Sequence, residues 1–524
     1  MTVFDPLLTE IAEVRAIRHF GRIQALQAAT VLAQGLSRRA RLGDRVLIEG
    51  AQGQSVGGEI LALARDGAEV LPESPVDGLA LGDRVEHLGR NAIAPDDSWI
   101  GRVIDPYGQP LDGRPLGRGT HPRALRAPPP SPARRKRLGG RLSTGLDAFN
   151  TVLPIVRGQR IGLFAGSGVG KTMLLGQLAR GIDADVVVLA LVGERGRELR
   201  DFTESVLGPE GLARSVVVSA TSDQSPLARR RAALTAMAVA EHFRDQGRQV
   251  LLLCDSVTRF AEAHREIALA AGEAPSLRGF PPSTAHQIMA LAERAGPGED
   301  EQGDITAIFT VLVAGSDMDE PVADILRGVL DGHVVLERAI AERGRFPAID
   351  LMRSVSRSLP MAATPTENAQ IAEARRLIGA WSSCSPGWMA SLAGRGQSRR
   401  WRVLRGCARR WRGRSGVIAA RGMGSGCETG LKFPGQGGAD EPIRGLDPVA
   451  AFLGGSVGRK LHPALVEIGR APREARGDQH LGCIEGLGLD AESAAVGRAG
   501  GKDPAADFPD IHPFAERLRD GGAR

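Results

Sequence analysis

Residues 159–172 read QRIGLFAGSGVGKT, and this stretch decides the fold of the chain. Ile161–Phe164 is a short apolar run, which is typical of a buried parallel strand. A glycine-rich turn follows at Ala165–Gly170, and Lys171 and Thr172 then begin a helical pattern. A strand, a glycine-rich turn, Lys-Thr and a helix in this order indicate a phosphate-binding loop, although its first position is alanine rather than the usual glycine.

The residue types of this loop explain the chemistry that it predicts. Glycines let the backbone bend so that several N–H groups point at one anion, and the helix N-terminus adds partial positive charge. Lys171 is expected to neutralise the β- and γ-phosphates of a nucleotide, and the Thr172 hydroxyl is expected to hold Mg²⁺. The predicted nucleotide-binding residues of the loop are Gly166, Ser167, Gly168, Val169, Gly170, Lys171 and Thr172.

Strand-like and helical patterns alternate after the loop. The strand-like runs are Val186–Val192, Val216–Ser219, Val250–Cys254 and Ile305–Val313, and the clearest helical pattern between them is Leu227–Phe243. This alternation predicts an α/β fold with a doubly wound, mainly parallel sheet. Ligands of such sheets bind at the carboxyl ends of the strands, which is also where a phosphate loop lies.

Two of these strand-like runs lead into acidic side chains. Asp255 follows one directly, and a carboxylate at that position downstream of a phosphate loop holds the Mg²⁺ shell. Glu194 ends the other, and it is our candidate to orient the attacking water and accept its proton. Glu198 lies about one helical turn further, where it is expected to help organise the metal. A solvated helix start with paired Glu and Arg side chains stays open as the alternative for Glu194 and Glu198.

Length and composition limit the class of protein. A chain of 524 residues is long enough for two or three domains. It has no early apolar stretch like a signal peptide and no run as long as a membrane span, so we expect a cytoplasmic protein. The 5 cysteines lack metal-ligand spacing, which predicts reduced thiols. The net charge of +6 arises beyond residue 380, so we expect no nucleic-acid partner.

The chain divides into three predicted regions. Residues 1–92 are expected to form a small β domain, because short β-like runs alternate there with glycine, as in a barrel or a sandwich. A collar for subunit contacts and an ordinary β module explain it equally well. Residues 93–380 are expected to form the phosphate-loop domain. Near its start the basic cluster Arg134–Arg137 follows a proline-rich connector, which favours a solvated linker over an anion site. Residues 381–524 form the third region.

A long ordered series of motifs accompanies the phosphate loop. The motifs are AGSGVGKT (165–172), ALVGERGRE (190–198), ATSDQSPL (220–227), LLLCDSVTRFAEAHREI (251–267), AGEAPSLRGFPPS (271–283), ERAGPG (293–298), DEPVAD (319–324), LDGHVVLER (330–338) and RFPAIDLMRSVSR (345–357). This series resembles the flagellum-specific ATPases, the export ATPases of the flagellar type III secretion apparatus, over about residues 20–380. That family is related to the catalytic subunit of rotary ATP synthases and to the ATPases of virulence injectisomes.

The resemblance implies roles for single residues. Glu194 matches the family's catalytic glutamate, and Arg195 belongs to the same site. Asp255 matches the metal-associated aspartate, and Phe346 matches the aromatic side chain that stacks on adenine. Arg357 matches the arginine that reaches into the neighbouring subunit's site, where it stabilises charge developing on the γ-phosphate. Plain core packing for Phe346 and a surface salt bridge for Arg357 are the alternatives.

The resemblance also implies an activity and its partners. It implies an ATPase that uses ATP and Mg²⁺, assembles as a homohexamer and powers the export of flagellar proteins. The implied partners are the flagellar export regulator, the stalk and gate proteins and the export chaperones, with peripheral association at the inner face of the cytoplasmic membrane. An injectisome ATPase with the same catalytic residues, a hexameric RNA translocase and an inactive nucleotide-binding scaffold stay open as alternatives.

The resemblance stops near Trp381. The tail after it is rich in Gly and Arg, and it shows no sustained helical or strand period. Our hypothesis is that residues 381–524 are an out-of-frame translation of a GC-rich gene, and the competing hypothesis is a genuine basic, disordered extension. Reading the gene in its other frames tests this, since a frameshift requires one of them to encode a helical continuation.

Overall fold

The computed structural model of the chain describes residues 17–27, 29–50, 53–313, 318 and 320–382. The hypothesis about residues 381–524 falls almost entirely outside the described residues. The domain boundaries at residues 92 and 380 stay predictions.

A six-stranded antiparallel barrel lies near the N-terminus. Its strands are β1 (His19–Leu26), β2 (Val31–Gln34), β3 (Arg45–Glu49), β4 (Ser55–Leu63), β5 (Ala68–Pro72) and β6 (Arg84–Gly89). They pair in the order β1-β2-β5-β4-β3-β6, and β6 closes the barrel by pairing with β1. Alternate side chains fill the interior, as Val46 and Ile48 do in β3, and closure leaves no strand edge unpaired. The sequence pattern predicted either a barrel or a sandwich, and the structure shows that these strands form a closed barrel.

A nine-stranded sheet forms the centre of the second region. Its strands are β8 (Arg102–Ile104), β10 (Arg160–Ala165), β11 (Val186–Glu194), β12 (Ser215–Thr221), β13 (Val250–Asp255), β14 (Gly296–Pro297), β15 (Asp304–Leu312), β16 (Gly332–Leu336) and β17 (Ile349–Ser356). They run β17-β16-β10-β15-β13-β11-β12-β8, with β14 attached to β15. Strands β14 and β17 are antiparallel to their neighbours, and every other pair is parallel. Strands β7 (Ala92–Ile93) and β9 (Arg123–Ala124) form a separate small pair.

Helices cover both faces of this sheet. They are α1 (Asp147–Asn150), α2 (Lys171–Gly181), α3 (Gly196–Asp201), α4 (Gly208–Leu212), α5 (Pro226–Asp245), α6 (Val257–Ala270), α7 (Ser283–Arg294), α8 (Pro321–Val329), α9 (Arg338–Ala341) and α10 (Pro365–Ser382). A π-helical segment, Phe202–Leu207, joins α3 to α4, and single 3₁₀ turns occur at Asp97–Trp99 and Leu277–Gly279.

Two hydrophobic cores separate the layers. Helices α5, α6, α7 and α8 pack on one face of the sheet, and α1, α2 and the π-helical segment pack on the other. Strands covered on both faces are apolar throughout, which is why the runs in β11 and β13 are continuous rather than alternating. The predicted doubly wound α/β fold is confirmed.

The basic cluster Arg134–Arg137 is not the solvated linker that its composition favoured. The guanidinium of Arg134 contacts the carboxylate of Glu299, and Lys136 Nζ lies 3.0 Å from Asp304 Oδ1. The guanidinium of Arg135 is mostly buried, 3.3 Å from the Glu293 carboxylate. The linker prediction is wrong for Arg135 and Lys136, because acidic side chains within residues 293–304 meet them in the fold, whereas Arg134 and Arg137 are exposed.

Candidate nucleotide site

The glycine-rich loop connects β10 to α2. Gly168 and Gly170 have φ of +75° and +86°, a region that side chains disfavour, so glycine permits the turn. Gly170 directly precedes α2, and no side chain caps the helix. The first N–H groups of α2 are therefore left to bind an anion. Val169 is buried beneath the loop, whereas Ser167 and Gly168 face solvent.

Sheet order brings three predicted residues together. Strands β10, β15, β13 and β11 are consecutive neighbours, so their carboxyl ends meet at one edge. There the Lys171 ammonium contacts Asp255 Oδ1 and lies 3.5 Å from Glu194 Oε1. All three side chains are mostly buried, so their charges interact more strongly than they would in water. The cluster places one cation and two carboxylates beside the phosphate-binding turn.

The environment of Glu194 changes its acidity. Burial raises the pKa of this carboxyl most, the Lys171 cation lowers it, and Asp255 and Glu198 raise it further, to about 7. A carboxyl with a pKa near neutrality can exchange a proton at physiological pH. Glu194 therefore has the acidity that a general base needs.

The remaining predicted residues of this edge lie around the cluster. Thr172 is the second residue of α2 and is exposed. Arg195 directly precedes α3 and is exposed, and Glu198 in that helix hydrogen-bonds Glu194. The Thr172 hydroxyl and the carboxylates of Asp255 and Glu198 are hard oxygen donors, which suit Mg²⁺. Within the described part of the chain, no three acidic, His or Cys side chains form a metal cage, and Mg²⁺ held mainly by phosphates needs none.

Phe346 lies against the loop. It belongs to the segment between α9 and β17, and its side chain is 63 % exposed. Its ring carbons lie 3.2–3.3 Å from the point where a Cβ on Gly170 would be, so a larger residue at 170 would push the ring away. An exposed aromatic face beside a phosphate-binding turn can stack on a flat ring. This geometry disfavours the alternative of plain core packing.

Arg357 lies at the opposite edge of the sheet. It follows β17, and its backbone N–H donates to the Asp331 carbonyl at 3.0 Å. The Asp331 carboxylate in turn accepts from the backbone N–H of Arg160, the first residue of β10. The phosphate loop follows the last residue of that strand, Ala165, about 17 Å away for a strand of this length. That distance exceeds the length of an arginine side chain, so Arg357 does not reach the loop of its own chain.

Two contacts of the site were not predicted from the sequence. The Thr310 hydroxyl, in β15, donates to Asp255 Oδ1 at 2.7 Å. Arg259 lies one helical turn after Asp255, and its stem packs against Gly193, where a Cβ would lie 3.2 Å from it. The position of Arg259 could have been inferred from helical spacing, whereas a threonine within an apolar strand carries no signal of its role.

The chain is similar to known nucleotide-binding proteins. Residues 145–356 match the model of the ATP synthase alpha/beta family, nucleotide-binding domain. The flagellum-specific ATP synthase of Caulobacter vibrioides is 44 % identical over 384 residues, which are 72 % of this chain and 86 % of that protein. The protein of the same name from Salmonella typhimurium is 42 % identical over 391 residues, 72 % of this chain and 85 % of that protein.

The chain belongs to the flagellum-specific ATP synthase family. The fold agrees with solved structures of related type III secretion ATPases. The assembled ATPase EscN of enteropathogenic E. coli superimposes with a TM-score of 0.65 at 39 % identity, over 70 % of this chain and 87 % of that one. EscN in complex with its central stalk EscO gives 0.65 at 38 % identity, over 72 % and 89 %.

Family membership settles the broad predictions. The chain is a nucleotide-binding protein and an ATPase, and the predicted resemblance is confirmed. The EscN structures connect it to injectisome ATPases as a related family, while the relatives in sequence carry the flagellar name. Among the described helices, none combines the length and the apolar character needed to cross a bilayer.

Proposed function

We propose that the chain hydrolyses ATP with Mg²⁺ at interfaces between subunits and that this turnover powers the export of flagellar proteins. The observation that carries the proposal is the cluster of Lys171, Glu194 and Asp255 beside the phosphate-binding turn. It unites a phosphate-neutralising cation, a proton acceptor and a carboxylate for a metal shell, which are the groups that phosphoryl transfer to water requires.

Each side chain has a role in this proposal. The backbone of Gly166–Gly170 and the N-terminus of α2 bind the phosphates, and Lys171 neutralises their charge. Glu194 orients the attacking water and accepts its proton. Phe346 stacks on the adenine ring. Arg195 is exposed at the same edge, next to Glu194, where it adds positive charge near the γ-phosphate.

Mg²⁺ belongs to the same proposal. Thr172, Asp255 and Glu198 would hold it, and it would neutralise charge on the β- and γ-phosphates. In the structure Lys171 and Thr310 both contact Oδ1 of Asp255. Among the described residues Oδ2 has no hydrogen-bond donor, so this oxygen is available to the metal shell. When phosphates draw the Lys171 ammonium toward themselves, Asp255 keeps its orientation through Thr310.

Assembly completes the site. Arg357 lies at the edge of the sheet remote from its own loop, and it is exposed. A neighbouring subunit can present this side to the loop of the next one, and a repeated contact of this kind closes into a ring. The assembled state of the related EscN supports this arrangement. We therefore propose a cytoplasmic homohexamer in which Arg357 acts as an arginine finger in trans.

The proposed partners follow from the family. A stalk protein is proposed because EscN was solved with its central stalk EscO. The flagellar export regulator, gate proteins and export chaperones are proposed with it, together with peripheral association at the inner face of the cytoplasmic membrane. A nucleic-acid partner is not proposed.

The activity is tested with the purified full-length chain. We expect Mg²⁺-dependent release of phosphate from ATP, with specific activity that rises with protein concentration until assembly is complete. RNA should not stimulate it, and RNA stimulation would favour the RNA translocase instead. Absence of hydrolysis at every protein concentration, despite ATP binding, would identify the inactive scaffold and refute the proposal.

The biological role is tested in a flagellated bacterium that lacks its own export ATPase. Expression of the full chain should restore secretion of flagellar proteins and swimming, and the Lys171→Ala variant should not. An active ATPase that restores injectisome secretion but not flagellar secretion would support the injectisome alternative.

A further inference from the structure

A concentration of positive charge lies outside the nucleotide cluster, between the barrel and the ATPase domain. A cavity of about 260 Å³ opens there, and its guanidinium groups belong to Arg41, Arg90, Arg126, Arg230 and Arg231. Arg41 and Arg90 come from barrel loops, Arg126 follows β9, and Arg230 and Arg231 lie in the first turns of α5. The cavity therefore exists only where the two parts of the chain meet.

Two carboxylates face these five cations, and both are already engaged. Asp44 Oδ2 accepts hydrogen bonds from the backbone N–H of Arg41 and from His87 Nε2. Glu59 Oε1 is shared between Arg126 Nη2 at 3.0 Å and Arg230 Nη2 at 2.7 Å. One carboxylate oxygen thus serves two guanidinium groups, and the cavity retains an excess of positive charge.

Arg231 is one of two buried arginines in this cavity, and among the described residues its Nη2 has no hydrogen-bond partner. Arg231 is 6 % exposed, and it donates to the carbonyl of Pro106 and to the side-chain oxygen of Asn91. Its guanidinium also lies over the ring of Tyr107. Burial and then the nearby Arg45 lower the pKa of Arg231, whereas Tyr107, Glu59 and Glu73 raise it in part, and the pKa is about 10. Glu59 and Glu73 act on this buried cation without pairing with it, so an anion in the cavity would be stabilising there.

The excess charge extends beyond the cavity wall. His264, in α6, has its pKa lowered to about 4, mainly by burial and next by Arg230. Two of the lining cations, Arg41 and Arg90, are exposed at the mouth, and no described acidic side chain pairs with either of them. The exposed side of the cavity is therefore positively charged through Arg41 and Arg90, and the buried side is positively charged through Arg230 and Arg231.

We propose that this cavity binds a small phosphate-bearing anion and that the bound anion links the barrel to α5. Guanidinium groups match phosphate because they form paired, charge-assisted hydrogen bonds with its oxygens. The volume is smaller than that of a typical drug-sized pocket, which restricts the ligand to one or two phosphate groups with few other atoms. Arg90 and Arg126 hold the anion at the mouth, and Arg231 faces it from below.

The test uses isothermal titration with inorganic phosphate and with pyrophosphate. The full chain carries Lys171→Ala, so that the nucleotide loop contributes little. We expect a binding event that the further changes Arg90→Gln and Arg126→Gln together weaken by at least about tenfold, since each removes a charged hydrogen-bond donor. Arg38→Gln, which removes an exposed barrel arginine outside the cavity, is the matched control and should leave the affinity unchanged. Tighter binding of pyrophosphate identifies a ligand with two phosphate groups, and equal binding identifies a ligand with one.

A second variant should raise the affinity for the anion instead of lowering it. Glu59→Gln removes the carboxylate that competes for Arg126 and Arg230, so it should tighten anion binding severalfold, with circular dichroism confirming the fold. The proposal is refuted if neither anion binds, if the Arg90→Gln and Arg126→Gln chain binds as tightly as the Arg38→Gln chain, or if citrate binds as well as pyrophosphate. None of these results depends on ATP hydrolysis, so the proposal stands or fails separately from the proposed function.

Discussion

The two edges of the central sheet carry different parts of the chemistry. At the carboxyl edge, Lys171, Glu194 and Asp255 form a compact and mostly buried cluster beside the glycine-rich loop. At the amino edge, Arg357 is exposed, and among the described residues its side chain donates to the Arg327 carbonyl alone. The carboxyl edge thus holds the residues that are proposed to bind and attack a phosphate, and the amino edge presents a guanidinium to solvent.

Because of this difference between the two edges, the ATPase activity can depend on assembly of the subunits. Each chain holds its own nucleotide cluster, yet the cation proposed to stabilise the transition state lies about 17 Å away along β10. A monomer should therefore bind nucleotide and hydrolyse it poorly. Hydrolysis should increase only when the amino edge of one subunit approaches the carboxyl edge of the next.

The largest effect is expected when the carboxyl edge loses its cation. Lys171→Ala should reduce turnover by at least about a thousandfold, because the phosphates lose their charge partner in a mostly buried site. Phosphate release measures the effect, and circular dichroism should show an unchanged fold. Turnover within tenfold of the parent chain would contradict the role of Lys171.

The next largest effect on turnover is expected from the protonation or replacement of Glu194. Its pKa of about 7 means that the carboxyl loses its proton as pH rises through neutrality, so kcat/KM should rise from pH 6 to pH 8 and then level. Glu194→Gln should lower turnover by about a hundredfold and abolish that rise, since an amide accepts no proton. A pH profile with the same rise in the variant would assign the titration to another group.

A smaller effect is expected at Phe346, which is proposed to stack on the adenine ring. Phe346→Ala should raise KM for ATP by about tenfold with little change in kcat, because a stacked ring contributes to binding rather than to the chemical step. Phe346→Trp serves as the matched control and should keep KM near its original value. If Phe346→Ala lowers kcat and leaves KM unchanged, the ring does not stack on adenine.

The smallest effect is expected when Asp255 loses its hydrogen bond from the Thr310 hydroxyl. Thr310→Val keeps the side-chain shape and removes the 2.7 Å hydrogen bond, so the Mg²⁺ concentration for half-maximal turnover should rise about fivefold. Thr306→Val is the control, since Thr306 lies in the same strand, near its amino end, and accepts a bond from Gly158. Equal shifts in both variants would mean that general destabilisation, not orientation of Asp255, explains the effect.

Much of this site could be predicted because its residues follow strong local patterns. Asp255 and Glu194 end continuous apolar runs, and parallel strands bring such ends to one edge. In the barrel, the apolar run Ile60–Ala64 predicts only the second half of strand β4, which begins at Ser55. The early part was missed because Gly57 and Gly58 weaken a strand pattern, yet a Cβ on Gly58 would lie 2.7 Å from Val70.

Other features could not be predicted because they depend on direction and distance in space. The motif at residues 345–357 identifies Arg357, but it does not indicate that Ile349–Ser356 forms a strand antiparallel to β16, which carries Arg357 to the amino edge. From the sequence, Thr310 cannot be distinguished from other polar residues in buried strands. Its role becomes evident only because β15 lies between β10 and β13 in the sheet. The ion pairs of Arg134–Arg137 likewise join residues far apart in sequence.

The most direct test of the shared site mixes two inactive full-length variants, Lys171→Ala and Arg357→Ala. Arg357→Ala alone should bind ATP normally and lose about a thousandfold in turnover, as expected for an arginine finger. In rings mixed at random in equal amounts, about one quarter of the interfaces pair an intact Lys171 with an intact Arg357, so the mixture should recover up to about a quarter of the parent activity. A mixture no more active than its two components, or an Arg357→Ala chain with full turnover, would contradict the account.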